Sequence, residues 1–165
     1  MDYYLSIGAK HRLDLPIYSG GLGVLAGDTL KSAADRGISL VAVGILWNKG
    51  YFKQNFWFKD GQVPEEADLD PSSFPGLVPL KTRVDISLKN EIIHLKLWKY
   101  FVYSFDKQRV IPLILLDSNV PENTPFTQKL TGQLYRSDNP QWKILQRIIL
   151  GMGGMRALEA LGYSL

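Results

Sequence analysis

Ser19, Gly20, Gly21, Leu22 and Gly23 form the stretch of this sequence best suited to hold a ligand. Two adjacent glycines leave backbone N–H groups uncovered by any Cβ, so an oxyanion or a sugar hydroxyl can approach the main chain closely. Where such glycines open a helix, the first N–H groups lack intrahelical partners and the helix dipole adds partial positive charge, and both favour an anion. The competing explanation is structural: a glycine turn that lets the helix pack tightly. A second ligand pattern is formally present, because Gly21-Leu22-Gly23-Val24-Leu25-Ala26 fits the dinucleotide signature G-x-G-x-x-A. Its context is wrong. The preceding Leu15-Pro16-Ile17-Tyr18 is short and holds a proline, and the next apolar stretch ends in Trp47-Asn48, where a ribose-binding acid is required.

The remaining groups point to less. Cysteine is absent, which excludes disulfides and thiolate metal sites. His11 and His94 are far apart and have no paired carboxylates at helical spacing near them, so a metal centre is not expected. Glu65, Glu66, Asp68 and Asp70 lie in a proline-rich stretch and read as solvated charge, unlike a calcium loop. No Ser-His-Asp arrangement follows from the spacing. Phe52, Phe56, Trp57, Phe58, Trp98, Tyr100, Phe101 and Tyr103 recur at strand spacing, where core or subunit contact is the commoner use than stacking on sugars or bases. Asp138 and Asn139 precede Pro140 and Gln141, a pattern that reads as a helix N-cap followed by proline at the first helical position.

The elements that position these residues can be read from periodicity. Leu22, Leu25, Ala26, Leu30, Ala33 and Ala34 recur at helical spacing and Gly37 follows as a stop, so Gly20 and Gly21 stand at a helix N-terminus. Ile38 to Trp47 is apolar at nearly every position and predicts a strand buried on both faces. Asp2 to Ile7 predicts a short strand. Tyr51 to Phe58, Leu80 to Leu88 and Glu91 to Phe105 predict strands, with breaks at Lys89-Asn90 and near Lys99-Tyr100. Gly61 to Gly76, with three prolines, predicts a loop. Val110 to Leu116 predicts a second strongly apolar strand, closed by Asp117-Ser118-Asn119. Gln141 to Leu161 predicts a long helix ending at Gly162. Its inner Gly151-Met152-Gly153-Gly154 is costly, at about 1 kcal/mol per glycine against alanine, and predicts close packing of another backbone. Helix and buried strand in succession give an α/β layered domain.

With 165 residues, 45% of them apolar, the chain can build one globular core but not two large domains. The net charge is +3, from 19 basic and 16 acidic residues without a long basic run, which suits phosphate-bearing ligands and does not form a nucleic-acid footprint. Met1 to Leu5 shows no signal-peptide pattern, and the longest apolar run, Ile38 to Trp47, is too short for a membrane span. Together these predict a cytoplasmic protein without nucleic-acid or membrane partners, and an assembly of identical chains is compatible with them.

Leu15-Pro-Ile-Tyr-Ser-Gly-Gly-Leu-Gly-Val-Leu-Ala-Gly-Asp28 resembles the signature of the α-glucan (glycogen/maltodextrin) phosphorylases, above all the shorter bacterial and archaeal type. Lys31 to Asp35, Leu40 to Gly44, Gly50 to Gln54, Gln133 to Tyr135 and Ile149 to Leu158 extend the resemblance in order and spacing, and only about Trp57 to Phe105 does not match. The resemblance implies an incomplete amino-terminal Rossmann-like domain of a GT-B-type glycosyltransferase, covering 1–165, with a variable β-rich hairpin insertion at 57–105 and without the carboxy-terminal cofactor domain. It implies phosphorolysis of α-1,4-glucan by inorganic phosphate to glucose 1-phosphate, with pyridoxal phosphate held by a lysine of that second domain. Carried over by position, Gly20, Gly21, Leu22 and Gly23 meet the cofactor phosphate and the sugar, with Gly21 as the phosphate-facing N–H and Leu22 as the backbone contact to glucose. Asp138 and Asn139 stand where animal-type members have a sugar gate loop. No catalytic residue and no metal ligand is expected in 1–165, and the isolated chain is expected to be inactive. Two departures stand out: the usual acidic residue before Ile7-Gly8 is absent, and Arg147 replaces a frequent Glu. The alternative is a non-catalytic, standalone binding or interaction module derived from the same domain.

Overall fold

The computed structural model describes residues 15, 17, 18, 20–49, 53–57, 61–65, 68–89, 91–134 and 139–163. The expected strand at Asp2–Ile7, His11 and Asp138 lie outside these residues. Helix α1 (Gly21–Arg36) begins directly after its N-cap Gly20 and stops at Gly37, whose φ of 66° is the left-handed cap that glycine adopts without strain. Strands β1 (Ala42–Ile45), β2 (Lys53–Trp57) and β3 (Gly61–Glu65) follow, then the long β4 (Val78–Leu88), β5 (Glu91–Tyr103) and β6 (Val110–Asp117). A short helix α2 (Pro125–Gln128) and a 3-10 turn (Lys129–Thr131) lead to α3 (Pro140–Ile148), a π-helical turn (Ile149–Gly153) and α4 (Gly154–Ala160), which together run as one helix.

The main sheet has the order β1-β6-β5-β4. β1 is parallel to β6, with Ala42 opposite Leu113 and Ile45 opposite Leu116, whereas β5 is antiparallel to both β6 and β4. Alternation along each strand sorts side chains between two cores. Trp98, Tyr100 and Val102 of β5 with Leu113 and Leu115 of β6 pack under α1, against Ala33 and Ala34. Ile93, Leu95 and Leu97 with Ile114 and Leu116 pack on the opposite face, against Trp142, Ile149 and Ala157 of the carboxy-terminal helix. The result is three layers, helix on sheet on helix, which is a mixed α/β arrangement.

Four expectations change. The strand expected over Ile38–Trp47 shortens to β1 and is not buried on both faces: only Ile45 of β1 is buried, because among the described residues β1 pairs with β6 alone. β5 is continuous through Lys99 and Tyr100, since its ladder to β6 runs unbroken from Lys96 to Tyr103. The stretch expected as a loop over Gly61–Gly76 begins with β3, antiparallel to β2, and Pro64 is tolerated there because a two-stranded ribbon has a free edge. Gly153 and Gly154 of the last helix face side chains of the sheet and not another backbone, whereas a Cβ on Gly151 meets nothing within 4 Å among the described residues. A Cβ on Gly153 would lie 2.7 Å from Leu95 Cδ1, and one on Gly154 would lie 3.1 Å from Val43 Cγ1.

Candidate functional site at the amino end of α1

Among the described residues the sheet holds α1 by its second half. Its last turns bury Ala33 and Ala34, and Asp35 is tied to the β5–β6 connection, where its side chain accepts from the Phe105 N–H at 2.7 Å and its carbonyl from Arg109 Nη1 at 2.6 Å. That connection lies at the amino end of β6. The opposite end of α1, with Gly20 and Gly21, therefore points toward the carboxyl ends of β1 and β6, the side on which α/β sheets place their ligands. The apolar stripe continues along the whole helix, but the sheet covers only its second half: Leu22 is 75% exposed and Leu25 is also exposed.

The three glycines do different work. Gly20 has φ 71° and ψ −169°, a region essentially restricted to glycine, so its role is conformational. Gly21 is helical, and a Cβ built on it meets no described atom within 4 Å. Gly23 has a packing reason, because a Cβ there would lie 2.5 Å from Tyr18 Cβ. The first intrahelical bond runs from the Val24 N–H to the Gly20 carbonyl at 3.4 Å. Gly20 supplies no side-chain cap and the first turn carries no acid, so the N–H groups of Gly21, Leu22 and Gly23 have no partner from within the helix. Gly20 and Gly21 are exposed. Among the described residues nothing lies within 4 Å of a Cβ built on Gly20 or Gly21.

Sequence reasoning missed two residues at the carboxyl ends of the parallel strands. Asn48 follows β1, and its Oδ1 is buried without a hydrogen-bond partner among the described residues. Asp117 ends β6 and is buried on the α1 side. Its carboxylate accepts from Trp98 Nε1 at 3.1 Å, from the Asn119 N–H at 2.9 Å and from Thr131 Oγ1 at 3.3 Å. Burial nevertheless pushes its carboxyl above the ordinary carboxylate value of 3.8, against these hydrogen bonds and the attraction of Lys96. The signal available in sequence was a polar residue directly after each apolar strand.

The structure does not bring Asn139 to the glycines by any described contact. Asn139 is the N-cap of α3: its Oδ1 accepts from the Gln141 N–H at 2.9 Å and Pro140 occupies the first turn. His94 lies opposite Asp85 across β5 and β4, and its Nδ1 is 2.8 Å from Asp85 Oδ1. Asp70 accepts from the Ser72 N–H, a turn role. Among the described residues no group of three or more His, Asp or Glu side chains is placed to hold a metal ion, and no helix is long and apolar enough to cross a membrane.

The described residues form a layered α/β sheet, with the uncapped amino end of α1 on the side of the carboxyl ends of its parallel strands, the side on which α/β proteins bind ligands. No protein-family model matches the chain. Among curated proteins it is 39% identical over 155 residues to the maltodextrin phosphorylase of Thermococcus litoralis, which covers 90% of this chain. It is 38% identical over 152 residues to the glycogen phosphorylase of Mycobacterium tuberculosis, covering 88% of the chain, and 35% identical over 157 residues to that of Aquifex aeolicus, covering 90%. The chain belongs with the glycogen and maltodextrin phosphorylases, and it spans only 18%, 17% and 21% of the length of these three relatives.

Proposed function

We propose that this chain forms part of the amino-terminal Rossmann-like domain of a GT-B-type phosphorylase and supplies the glycine-loop half of its cleft. In this reading residues 57–105 are the β-rich insertion, and the cofactor domain lies outside the 165 residues. The reaction takes the terminal glucose of an α-1,4-glucan with inorganic phosphate and gives glucose 1-phosphate. The observation that carries the reading is the amino end of α1, which has no side-chain cap and where, among the described residues, a Cβ on Gly21 meets nothing within 4 Å.

The N–H groups of Gly21 and Leu22 act here as fixed donors. They orient an anion or a sugar oxygen and need no rearrangement when negative charge develops, which is the form of electrostatic assistance that a rigid helix end provides. Gly20 holds the turn that aims them, and Gly23 lets Tyr18 close against the helix. Leu22 and Leu25, both exposed, flank the donors with apolar surface that lowers the local dielectric once the cleft is closed. The same donors fit the phosphate of pyridoxal phosphate, whose resemblance-implied lysine lies outside this chain. When bound, that cofactor supplies a phosphate group able to exchange a proton with the substrate phosphate.

The test is an assay of phosphate-dependent glucose 1-phosphate release from maltodextrin by two proteins. One is the 165-residue chain. The other is the Thermococcus litoralis maltodextrin phosphorylase with its matched segment replaced by this chain. Release from the chimaera and none from the isolated chain is the expected result. Release by the isolated chain contradicts the division of labour. A folded but inactive chimaera favours the non-catalytic binding module.

A further inference from the structure

The carboxyl end of α1 meets the turn between β5 and β6, and that corner holds a small cavity of about 240 Å³. Pockets for drug-sized ligands begin at roughly 300 Å³, so this one suits a single sugar ring. Ser39 and Arg109 bring polar groups to its lining, and Ile38, Leu40 and Val110 bring apolar ones. These three apolar side chains are exposed, and Phe105, on the same turn as Arg109, is 96% exposed.

The turn that carries Phe105 is tightly tied. The Ser104 N–H donates to the Arg109 carbonyl at 2.9 Å, and the Lys107 N–H donates to the Ser104 carbonyl at 2.9 Å. The Gln108 N–H donates to the Asp106 carboxylate at 3.0 Å. Lys107 sits at φ 59°, a left-handed conformation uncommon outside glycine. α1 fixes the same turn, because Asp35 accepts from the Phe105 N–H with its carboxylate and from Arg109 with its carbonyl. The backbone of Phe105 is therefore set before any ligand arrives, which lowers the ordering cost of binding.

Charge decides the class of ligand. Arg36, Lys107 and Arg109 are set against Asp35, Asp106 and the negative carboxyl end of the α1 dipole, so the corner has little net charge. Asp106 stays ionised, because the Ser104 hydroxyl first and the Gln108 N–H next hold its carboxyl below the ordinary value of 3.8. An anion meets repulsion here as well as attraction, whereas a neutral polyhydroxyl ligand meets usable donors and acceptors. Arg109 spends one guanidinium N–H on the Asp35 carbonyl and carries others, and the Ser39 hydroxyl can donate and accept.

We propose that this corner binds a sugar chain, with one ring of an α-glucan in the cavity against Arg109 and Ser39 and a neighbouring ring stacked on Phe105. The negative face of the phenyl ring attracts the weakly positive C–H hydrogens of a sugar. Ile38, Leu40 and Val110 line the apolar side of the cavity ring. The choice of an α-glucan rests on the phosphorylase reading. The corner lies at the opposite end of α1 from Gly20 and Gly21, so the two assignments can fail separately.

Affinity electrophoresis of the whole 165-residue chain through gels containing soluble amylopectin tests the proposal. The chain should be retarded, and added maltoheptaose should release it. Phe105→Ala should weaken retention about tenfold or more, and Phe105→Leu should do the same, because stacking needs an aromatic plane and not apolar bulk. Phe105→Trp should keep the retention. Phe105 is exposed, so circular dichroism should show every variant folded. A chain that runs unretarded, or retention indifferent to Phe105→Ala, overturns the proposal. So does a Phe105→Leu variant retained as well as the wild type. An inactive chimaera with normal, Phe105-dependent retention counts against the phosphorylase reading alone.

Discussion

Three neighbouring glycines carry three separable roles, and substitutions at them should separate as well. Gly20 sits at a positive φ and Gly23 against Tyr18, so a Cβ at either perturbs the fold, whereas Gly21 has room for one. Asp117 offers an independent check on the site's surroundings. Its folded pKa is raised by burial, so the folded state holds the proton more tightly than the unfolded chain does. The stabilisation from that proton is fully present below the ordinary value of 3.8 and is lost as pH rises through the raised folded value. Asp117→Asn removes this titration. Urea unfolding of both proteins across the acid range should show the wild-type chain gaining stability relative to Asp117→Asn as pH falls, with the difference levelling off below 3.8. A difference that does not change with pH, or one of opposite slope, would show that the carboxyl is not held in a costly burial.

At the scale of elements, the last helix shows how a costly sequence feature is resolved by its neighbours. Gly153 lies over Leu95 and Ile86, both fully buried and without space to retreat. Gly153→Ala should therefore destabilise the chain by about 1–3 kcal/mol in chemical denaturation, despite the better helix propensity of alanine. A neutral or stabilising effect would mean that the sheet side chains repack freely. The helices were legible in sequence because their ends carry unambiguous punctuation: Gly37 closes α1, and Asn139 with Pro140 opens α3. The strands were less so. Ile38 to Trp47 has the composition of a central strand, but composition cannot say which neighbours are present, and among the described residues β1 has one. β5 hides its continuity because its buried parity changes near Leu97 and Trp98, where cover passes from the carboxy-terminal helix to α1. β3 was masked by Pro64, which punctuates a sequence even where it sits on a tolerant edge.

In the whole molecule, the covers on the two faces of the sheet are offset. α1 docks by its second half and leaves the glycine end free at the carboxyl ends of β1 and β6, while the carboxy-terminal helix covers the other face. The glycine motif was legible because backbone exposure depends on residue type alone. Asn48 and Asp117 were not, because their common place at the carboxyl ends of β1 and β6 follows from a parallel pairing between strands more than sixty residues apart in sequence, which no local pattern reveals. A chain that spans about a fifth of its phosphorylase relatives is suited to provide one wall of a cleft, as proposed above. The central claim, that this wall acts through the backbone of Gly21, is tested most directly by Gly21→Ala in the chimaera with the Thermococcus litoralis enzyme. Turnover to glucose 1-phosphate and thermal unfolding should be measured on the same preparation. The account predicts a fall in turnover of about tenfold or more, the loss expected when a backbone donor is crowded away from an oxyanion, with a melting temperature unchanged or slightly raised. Unchanged turnover, or a loss explained by unfolding, would contradict it.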